Sequence, residues 1–259
     1  MAYKTIIFEK VGRVGYLTFN RPQAMNAMDL VMMDELGECI EGLHADQELQ
    51  LLVLKGAGGA FSAGGDVKGM ASGGDLNIDG AMVKVERYIK ALYTLSAITI
   101  AQVNGAAAGL GLSTALACDL VVAGANAKIA MNFITIGLIP DGGGHFFMQE
   151  RLGTMKAKQV IWKGEVMTGE QAQKMGLVDE IVPAEQLESA VQATVTQLLK
   201  SPLQAMIATK MILNGSKLTQ LEKILQQEAI TQPKMRVTAD HKEGVAAFVE
   251  KRTPNYTGA

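Results

Sequence analysis

Two glycine-rich turns between residues 102 and 144 constrain this chain more than any other feature. The first, residues 104–113 (NGAAAGLGLS), follows the apolar segment Ile98–Val103, which predicts a buried strand, and leads into an apolar helix. The second, residues 136–144 (IGLIPDGGG), carries the carboxylate of Asp141. Glycine lets a ligand approach the backbone closely, and the first N–H groups of a helix have no partners within it. The turns therefore predict a site that suits developing negative charge.

Hydrophobic periodicity predicts an α/β protein. Residues 5–19 favour a β-hairpin around Gly12, and Asp29 is placed to cap a helix whose apolar residues recur at helical spacing. Further strands are predicted at residues 51–54, 98–103, 120–122 and 128–131, with a helix from about 81 to 95 between the first two. Because the strands come in pairs between helices, we expect a sheet built from β-β-α units rather than from strict βαβ alternation.

Helices dominate the chain after the second glycine-rich turn. Two are predicted near residues 154–162 and 168–175, followed by a last strand at 177–182. Thr168 and Gln171 have the spacing of a capping box. Ser201 and Pro202 are placed as the N-cap and first residue of a helix that Gly215 ends. A helical tail with exposed apolar faces is typical of a subunit interface, so we expect oligomerisation.

Composition excludes several classes of protein. The chain has 259 residues, 48% hydrophobic and 19% charged, so it can bury a full core as one domain or as one domain with an appendage. A net charge of −2, with scattered Lys and Arg, gives no basic surface for nucleic acid or an anionic membrane. The two cysteines, Cys39 and Cys118, lie in apolar helical patterns and indicate neither a disulfide framework nor a metal site. Since no apolar run is long enough to span a bilayer, we expect a cytoplasmic enzyme without a metal.

Several motifs, taken together in their order and spacing, resemble one family along nearly the whole chain. They are Asn20-Arg-Pro22 with Asn26-Ala27, residues 60–68 (AFSAGGDVK), Asn104-Gly105 with Gly109-Leu-Gly111, Ala117-Cys-Asp119, Gly137-Leu-Ile-Pro140, Gly176-Leu-Val-Asp179 and residues 247–252 (AFVEKR). On these residues the chain is identified as a member of the crotonase (enoyl-CoA hydratase/isomerase) superfamily. The resemblance implies a crotonase-like spiral of β-β-α units over residues 1–195 and a helical trimerisation region over residues 196–259. It also implies an acyl-CoA thioester substrate and a homotrimer or dimer of trimers; coenzyme A is part of the substrate, so no separate cofactor is expected.

The resemblance further implies an oxyanion hole made from the backbone N–H groups of Gly65 and Leu110. An enolate formed from a thioester carries negative charge on its carbonyl oxygen, and each fixed donor stabilises that charge by about 3 to 4 kcal/mol. One glycine loop alone is more typical of a tight turn, whereas two at the family spacing favour a site. The implied substrate-binding residues are Ala63, Gly64, Gly65, Asp66, Val67, Lys68, Leu110, Ser113, Phe133 and, from a neighbouring subunit, Lys251, for which a solvated surface lysine is the alternative.

The chain departs from the hydratase pattern at two positions. Hydratases of the family hold a water with two glutamates, and these positions are Ser113 and Phe133 here. Neither side chain replaces a carboxylate as a general base. Asp141 is the remaining acid of this region, at a position where some isomerases and an aryl-CoA dehalogenase of the family also have aspartate. We therefore expect an isomerase in which Asp141 moves a proton from the alpha to the gamma carbon, with burial against Phe133, Phe146 and Phe147 raising its pKa.

Alternatives stay open at this point. Pro140-Asp141-Gly142 is also a common turn sequence in which the aspartate bonds its own backbone. The protein could instead be a hydratase-like or other acyl-CoA lyase or hydrolase that works by an atypical route, or a homologue that binds CoA, protein or RNA without catalysis. No loop has a complete dinucleotide or phosphate-binding fingerprint, and Ser113 is not in a hydrolase elbow. His145, just after the Asp141 turn, is either a helix-entry residue or a catalyst.

Overall fold

The computed structural model describes residues 3–67 and 78–259, and in them short strands alternate with helices up to a helical C-terminal region. The strands are β1 (Ile6–Val11), β2 (Val14–Phe19), β3 (Leu51–Gly56), β4 (Ala60–Ser62), β5 (Ile98–Val103), β6 (Ala106–Ala108), β7 (Leu120–Gly124), β8 (Lys128–Ala130), β9 (Met167–Thr168) and β10 (Glu180–Val182). The helices are α1 (Leu30–Leu43), α2 (Ile78–Tyr93), α3 (Leu110–Leu116), α4 (Gly144–Leu152), α5 (Thr154–Lys163), α6 (Gly169–Met175), α7 (Leu187–Leu199), α8 (Leu203–Arg236) and α9 (Ala239–Glu250). The predicted α/β class with a helical C-terminal region is confirmed.

Consecutive strands enter two different sheets, which is the structural form of the predicted β-β-α repeat. One sheet has the order β1-β2-β3-β5-β7-β10, and the other has the order β4-β6-β8-β9. Each turn of the chain adds one strand to each sheet, first β3 and β4, then β5 and β6 after α2, then β7 and β8 after α3. Among the described strands of the larger sheet, β1 and β2 form the one antiparallel pair, and the other pairs are parallel because helical connections return the chain to the same edge before each later strand.

The central strands of the larger sheet are buried on both faces, which explains their uninterrupted apolar sequences. In β3, Leu52 and Leu54 pack into the main core with α1 and α2. Leu51 and Val53 point the other way, into a second cluster that α7 and the start of α8 cover. This alternation is the period of two expected of a strand.

Helix α8 is much longer than the sequence predicted. The expected end at Gly215 is wrong, because the helix continues through both Gly215 and Pro233 to Arg236. A glycine inside a helix costs only about 1 kcal/mol. Burial of Leu221 and Leu225 beyond it outweighs that cost. Despite this length α8 is not apolar enough to cross a membrane, and neither is any other helix in the described ranges.

Two of the predicted helix starts are confirmed and one is wrong. Asp29 Oδ1 accepts a backbone N–H of α1 at 2.9 Å, and Thr168 and Gln171 form the predicted capping box of α6. Ser201 instead donates its hydroxyl to a carbonyl at the end of α7, at 3.0 Å. Its side chain is therefore turned back, and Pro202 stands at the N-cap position of α8.

Candidate active site

The loop after β4 and the first turn of α3 lie against each other. Gly64 permits this approach, since a Cβ placed on it would lie 2.6 Å from the Ala108 carbonyl oxygen and 3.3 Å from the Leu110 nitrogen. Its φ of +92° is also a conformation that favours glycine. The motif at residues 60–68 and the first glycine-rich turn are thus brought side by side.

Two backbone N–H groups at this junction have no acceptor among the residues that the structure describes. Gly65 forms a parallel β-bridge in which Met28 donates its N–H to the Gly64 carbonyl at 2.7 Å and accepts the Asp66 N–H at 3.2 Å. Both backbone groups of Met28 are hydrogen-bonded to the residues that flank Gly65, namely Gly64 and Asp66. The N–H of Gly65 itself therefore points away from Met28. Leu110 is the first residue of α3, so its N–H has no partner within the helix. Neither group donates to another residue in the described ranges, and both residues line one pocket.

The wall of this pocket is mostly apolar. It includes Met28, Leu30, Met33, Ile78, Ala81, Met82, Val85, Phe133, Ile136 and Leu138. Of the predicted substrate-binding residues, Ala63, Gly65, Asp66, Val67, Leu110 and Phe133 line it. Arg236 of α8 and Phe248 of α9 contribute from the C-terminal region. An apolar cleft with a few polar groups is the usual form of a small-molecule site.

Asp141 is a half-buried acid of this pocket. It lies in the loop before α4, where Ser113 Oγ donates to its backbone carbonyl at 2.7 Å and Gln232 Nε2 donates to its Oδ2 at 3.1 Å. The other carboxylate oxygen, Oδ1, is buried and has no hydrogen-bond partner in the part of the chain that the structure describes. Burial raises the pKa of Asp141 to about 7; the Gln232 hydrogen bond works against this rise, and the nearby Glu228 adds to it. A carboxyl group with this pKa can act as both base and conjugate acid near neutral pH.

One face of α8 holds the loop around Asp141. Gln232 donates to the Ile139 carbonyl at 2.8 Å and accepts the Ile139 N–H at 3.3 Å. Glu228, buried one helical turn earlier, accepts the Gly143 N–H and His145 Nδ1, each at 2.8 Å. The Glu228 carboxylate thus faces the N-terminus of α4, where negative charge is stabilising. His145 is a partner of Glu228 and does not line the pocket.

The sequence reasoning did not find Glu228, Gln232 or Arg236. Their spacing of four residues, which places them on one face of a helix, was the available signal. The loop that this face meets lies 85 to 93 residues away in sequence, so the spacing alone could not identify it.

The other two carboxylates of the described pocket wall differ from that of Asp141. Asp29 and Asp66 both face Arg21, at 3.1 Å and 3.3 Å, and Asp29 also caps α1. Each therefore has a cation within ion-pair distance. Among the described residues, no cation lies within ion-pair distance of Asp141, the third acid of this wall.

Three of the remaining predicted site residues, Gly64, Ser113 and Lys251, do not line the pocket. Ser113 is fully buried, and its hydroxyl donates a hydrogen bond to the Asp141 backbone carbonyl. Gly64 packs behind Gly65. Lys251 is exposed at the end of α9 of its own chain, and its contact with a neighbouring subunit's substrate stays a prediction. Lys68 lies outside the described residues.

Comparisons with known proteins agree with this fold. The family model described as enoyl-CoA hydratase/isomerase matches residues 9–259. The protein YhaR of Bacillus subtilis (strain 168), which is named as an enoyl-CoA hydratase/isomerase, is 44% identical over 246 residues, covering 95% of this chain and 96% of YhaR. The 1,2-epoxyphenylacetyl-CoA isomerase of Escherichia coli (strain K12) is 33% identical, with 93% and 94% of the two chains covered. A crystal structure of an enoyl-CoA hydratase from Mycobacterium avium subsp. paratuberculosis K-10 superposes with a TM-score of 0.90 at 31% identity, over 99% of this chain and 100% of that one.

The chain therefore belongs to the enoyl-CoA hydratase/isomerase family, and the predicted crotonase-like fold is confirmed. Its relatives include proteins named as hydratases and proteins named as isomerases.

Proposed function

We propose that this protein shifts the double bond of an enoyl-CoA, with Asp141 as the acid/base and the N–H groups of Gly65 and Leu110 as the oxyanion hole. The observation that carries the proposal is the buried Oδ1 of Asp141. It has no partner in the described ranges, and Asp141 lines the same pocket as the two residues whose N–H groups are free. Coenzyme A belongs to the substrate, so the reaction needs no separate cofactor.

The proposed reaction is two proton transfers through one carboxyl group. The thioester carbonyl oxygen accepts hydrogen bonds from the two N–H groups, which stabilise the negative charge that develops when the alpha proton leaves. Asp141 takes that proton through Oδ1 and returns it at the gamma carbon, so the double bond moves by one position. The pKa of about 7 fits both steps, because the group is a usable base and, once protonated, a usable acid.

Hydration is the second candidate, because a structural relative is named as a hydratase. Adding water by two acids needs a second carboxylate beside the first. At the two positions where the family's hydratases have glutamates, this chain has Ser113, whose hydroxyl is held by a backbone carbonyl, and Phe133, which has no polar side-chain atom. The other acids of the described wall, Asp29 and Asp66, are paired with Arg21. These contacts favour isomerisation.

We also propose that the protein assembles as a homotrimer or a dimer of trimers through residues 196–259. Apolar side chains exposed on the last helices, among them Ile212, Leu213, Phe248 and Val249, support this. Light scattering at micromolar concentration is expected to give a mass of three or six chains. A monomer would contradict the proposal.

The activity is tested with a panel of cis-3-, trans-3- and trans-2-enoyl-CoA thioesters and identification of the products by mass. We expect 3-enoyl and 2-enoyl isomers to interconvert without any change of mass. Faster formation of a product heavier by one water would establish hydration and contradict the isomerase proposal. Binding of CoA thioesters with no turnover of any member would leave a binding protein as the better description.

A further inference from the structure

The pocket contains a charged side chain that the proposed mechanism does not use. Arg236, the last residue of α8, is half-buried and lines the pocket together with Ile136, Leu138 and Phe248. Along α8, Arg236 lies about one helical turn, roughly 6 Å, beyond Gln232. Gln232 is bonded to Asp141, so Arg236 lies within reach of an acyl chain whose reacting carbons are at Asp141.

Arg236 is unusual among the arginines of this chain. The other five, at positions 13, 21, 87, 151 and 252, each donate to a carboxylate, an amide oxygen or a backbone carbonyl. The Arg236 guanidinium makes no hydrogen bond or ion pair with any residue in the ranges 3–67 and 78–259. Burial lowers the pKa of its guanidinium, and the charge of Asp141 opposes that effect from beyond contact distance. A half-buried guanidinium with five donors and no acceptor is costly unless something else supplies one.

We propose that Arg236 binds a carboxylate at the far end of the acyl chain, so that the site prefers CoA thioesters of dicarboxylic acids. The proposal rests on the proposed function only in placing the acyl group in this pocket. A carboxylate matches the planar fork of a guanidinium and forms two parallel hydrogen bonds with it. The apolar side chains of Ile136, Leu138 and Phe248 in the same wall strengthen such a bond by excluding water.

Two alternative roles for Arg236 fit the structure less well. If its purpose were to pair with Asp141, the carboxylate would have a cation in contact, and its pKa would not stand as high as about 7. If it were to bind the phosphates of coenzyme A, it would have to lie near them. Those phosphates are at the other end of a long arm from the thioester, so they are remote from the acyl end of the substrate.

Equilibrium binding of saturated thioesters tests the proposal without requiring turnover. We would measure dissociation constants by calorimetry for adipyl-CoA against hexanoyl-CoA, and for suberyl-CoA against octanoyl-CoA. Each pair has the same chain length and the same coenzyme, so only the terminal carboxylate differs. We expect the wild-type protein to bind the dicarboxylic thioester about 10- to 100-fold more tightly than the monocarboxylic thioester of the same chain length, at one of the two chain lengths or at both. Equal or weaker binding of the dicarboxylic member at both lengths overturns the proposal.

The variant Arg236→Met tests the residue. It should lose the preference while binding hexanoyl-CoA as well as the wild type or better, because an unpaired buried charge has been removed. Lys234→Met is the matched control, since Lys234 is exposed on the same helix and does not line the pocket. Its preference should equal that of the wild type. An equal loss for both thioesters in Arg236→Met assigns Arg236 a structural role and contradicts the proposal.

Should Arg236→Met fail to fold, Arg236→Lys keeps the charge and the stem but loses the planar fork. It should retain part of the preference. The binding measurements do not depend on the outcome of the isomerase assay. A protein that prefers dicarboxylic thioesters but moves no double bond would refute the proposed reaction and leave the role of Arg236 in place.

Discussion

Gln232 Nε2 lies 3.1 Å from Asp141 Oδ2, although the two residues are 91 positions apart in sequence. The same side chain binds both backbone groups of Ile139, so it fixes the loop and the carboxylate together. Asp141 Oδ2 is thereby occupied, and Oδ1 is the oxygen left for chemistry. Under the proposed function, this relationship leaves Oδ1 as the oxygen that would act as the base.

Replacing the base should abolish turnover and keep binding. Asp141→Asn keeps the shape of the turn but cannot accept a proton at neutral pH, so we expect isomerisation to fall by about 10³- to 10⁴-fold. Exchange of the alpha protons with deuterated water should be lost in parallel, because exchange requires only the first transfer. CoA binding, measured separately, should survive. Retained exchange and turnover would show that Asp141 is only a turn residue.

Two substitutions on one face of α8 should move the pH profile in opposite directions. The hydrogen bond from Gln232 lowers the pKa of Asp141 and the charge of Glu228 raises it. The base must be ionised, so kcat/KM should rise with pH through about 7 in the wild type. The inflection should move to higher pH in Gln232→Met and to lower pH in Glu228→Gln.

The control for both variants is Gln227→Met, an exposed position on the same helix, which should leave the profile unchanged. Gln232→Met should also lower the plateau value of kcat, because the carboxylate is no longer held in one orientation. A lower plateau with an unmoved inflection would mean that Gln232 supports the fold alone.

Removing one donor of the proposed oxyanion hole should be costly. Gly65→Pro eliminates the backbone N–H and fixes φ, and we expect kcat to fall by about 100-fold or more. Gly65→Ala keeps the N–H, so comparing the two variants separates the lost donor from added bulk. Circular dichroism checks that both are folded. Near-normal turnover in folded Gly65→Pro would remove Gly65 from the site.

Burial of Asp141 also predicts a pH dependence of stability. Its pKa is raised from 3.8 to about 7 in the folded protein, so between these values the folded state holds a proton that the unfolded chain has released. The free energy of unfolding should therefore fall as pH rises through this window. Compared with Asp141→Asn, which cannot ionise, the wild type should lose about 2 to 3 kcal/mol between pH 5 and pH 8. Urea unfolding at the two pH values measures this, and parallel behaviour of the two proteins would show that the carboxyl group is not buried in solution.

Local sequence patterns predicted much of the fold, and the family resemblance pointed to part of the candidate site. The apolar runs at β3 and β5, the Asp29 and Thr168 caps and the β-β-α repeat depend on near neighbours, and all are present. The family resemblance implied Gly65 and Leu110 as donors, and both residues line the pocket; their role as an oxyanion hole stays a prediction.

The contribution of α8 was not predictable in the same way. Gly215 has the local pattern of a helix end, and only the burial of Leu221 and Leu225 against distant elements keeps the helix continuous past it. Because the helix was predicted to end at Gly215, the sequence prediction did not include the helix face that carries Glu228 and Gln232. Contacts that join residues far apart in sequence decided both points.

The length of α8 has a consequence for how this enzyme could change over time. Near its start, the helix is anchored to the sheet, where buried Lys210 Nζ donates to the Ala97 carbonyl at 2.7 Å and to Asp119 Oδ2 at 2.8 Å. Its far end presents Glu228, Gln232 and Arg236 to the pocket loop. Base strength and acyl preference, as proposed, are thus carried by one segment that is continuous in the amino-acid sequence. A single exchange of that segment between related enzymes would transmit both properties as one heritable unit and leave the glycine loops untouched.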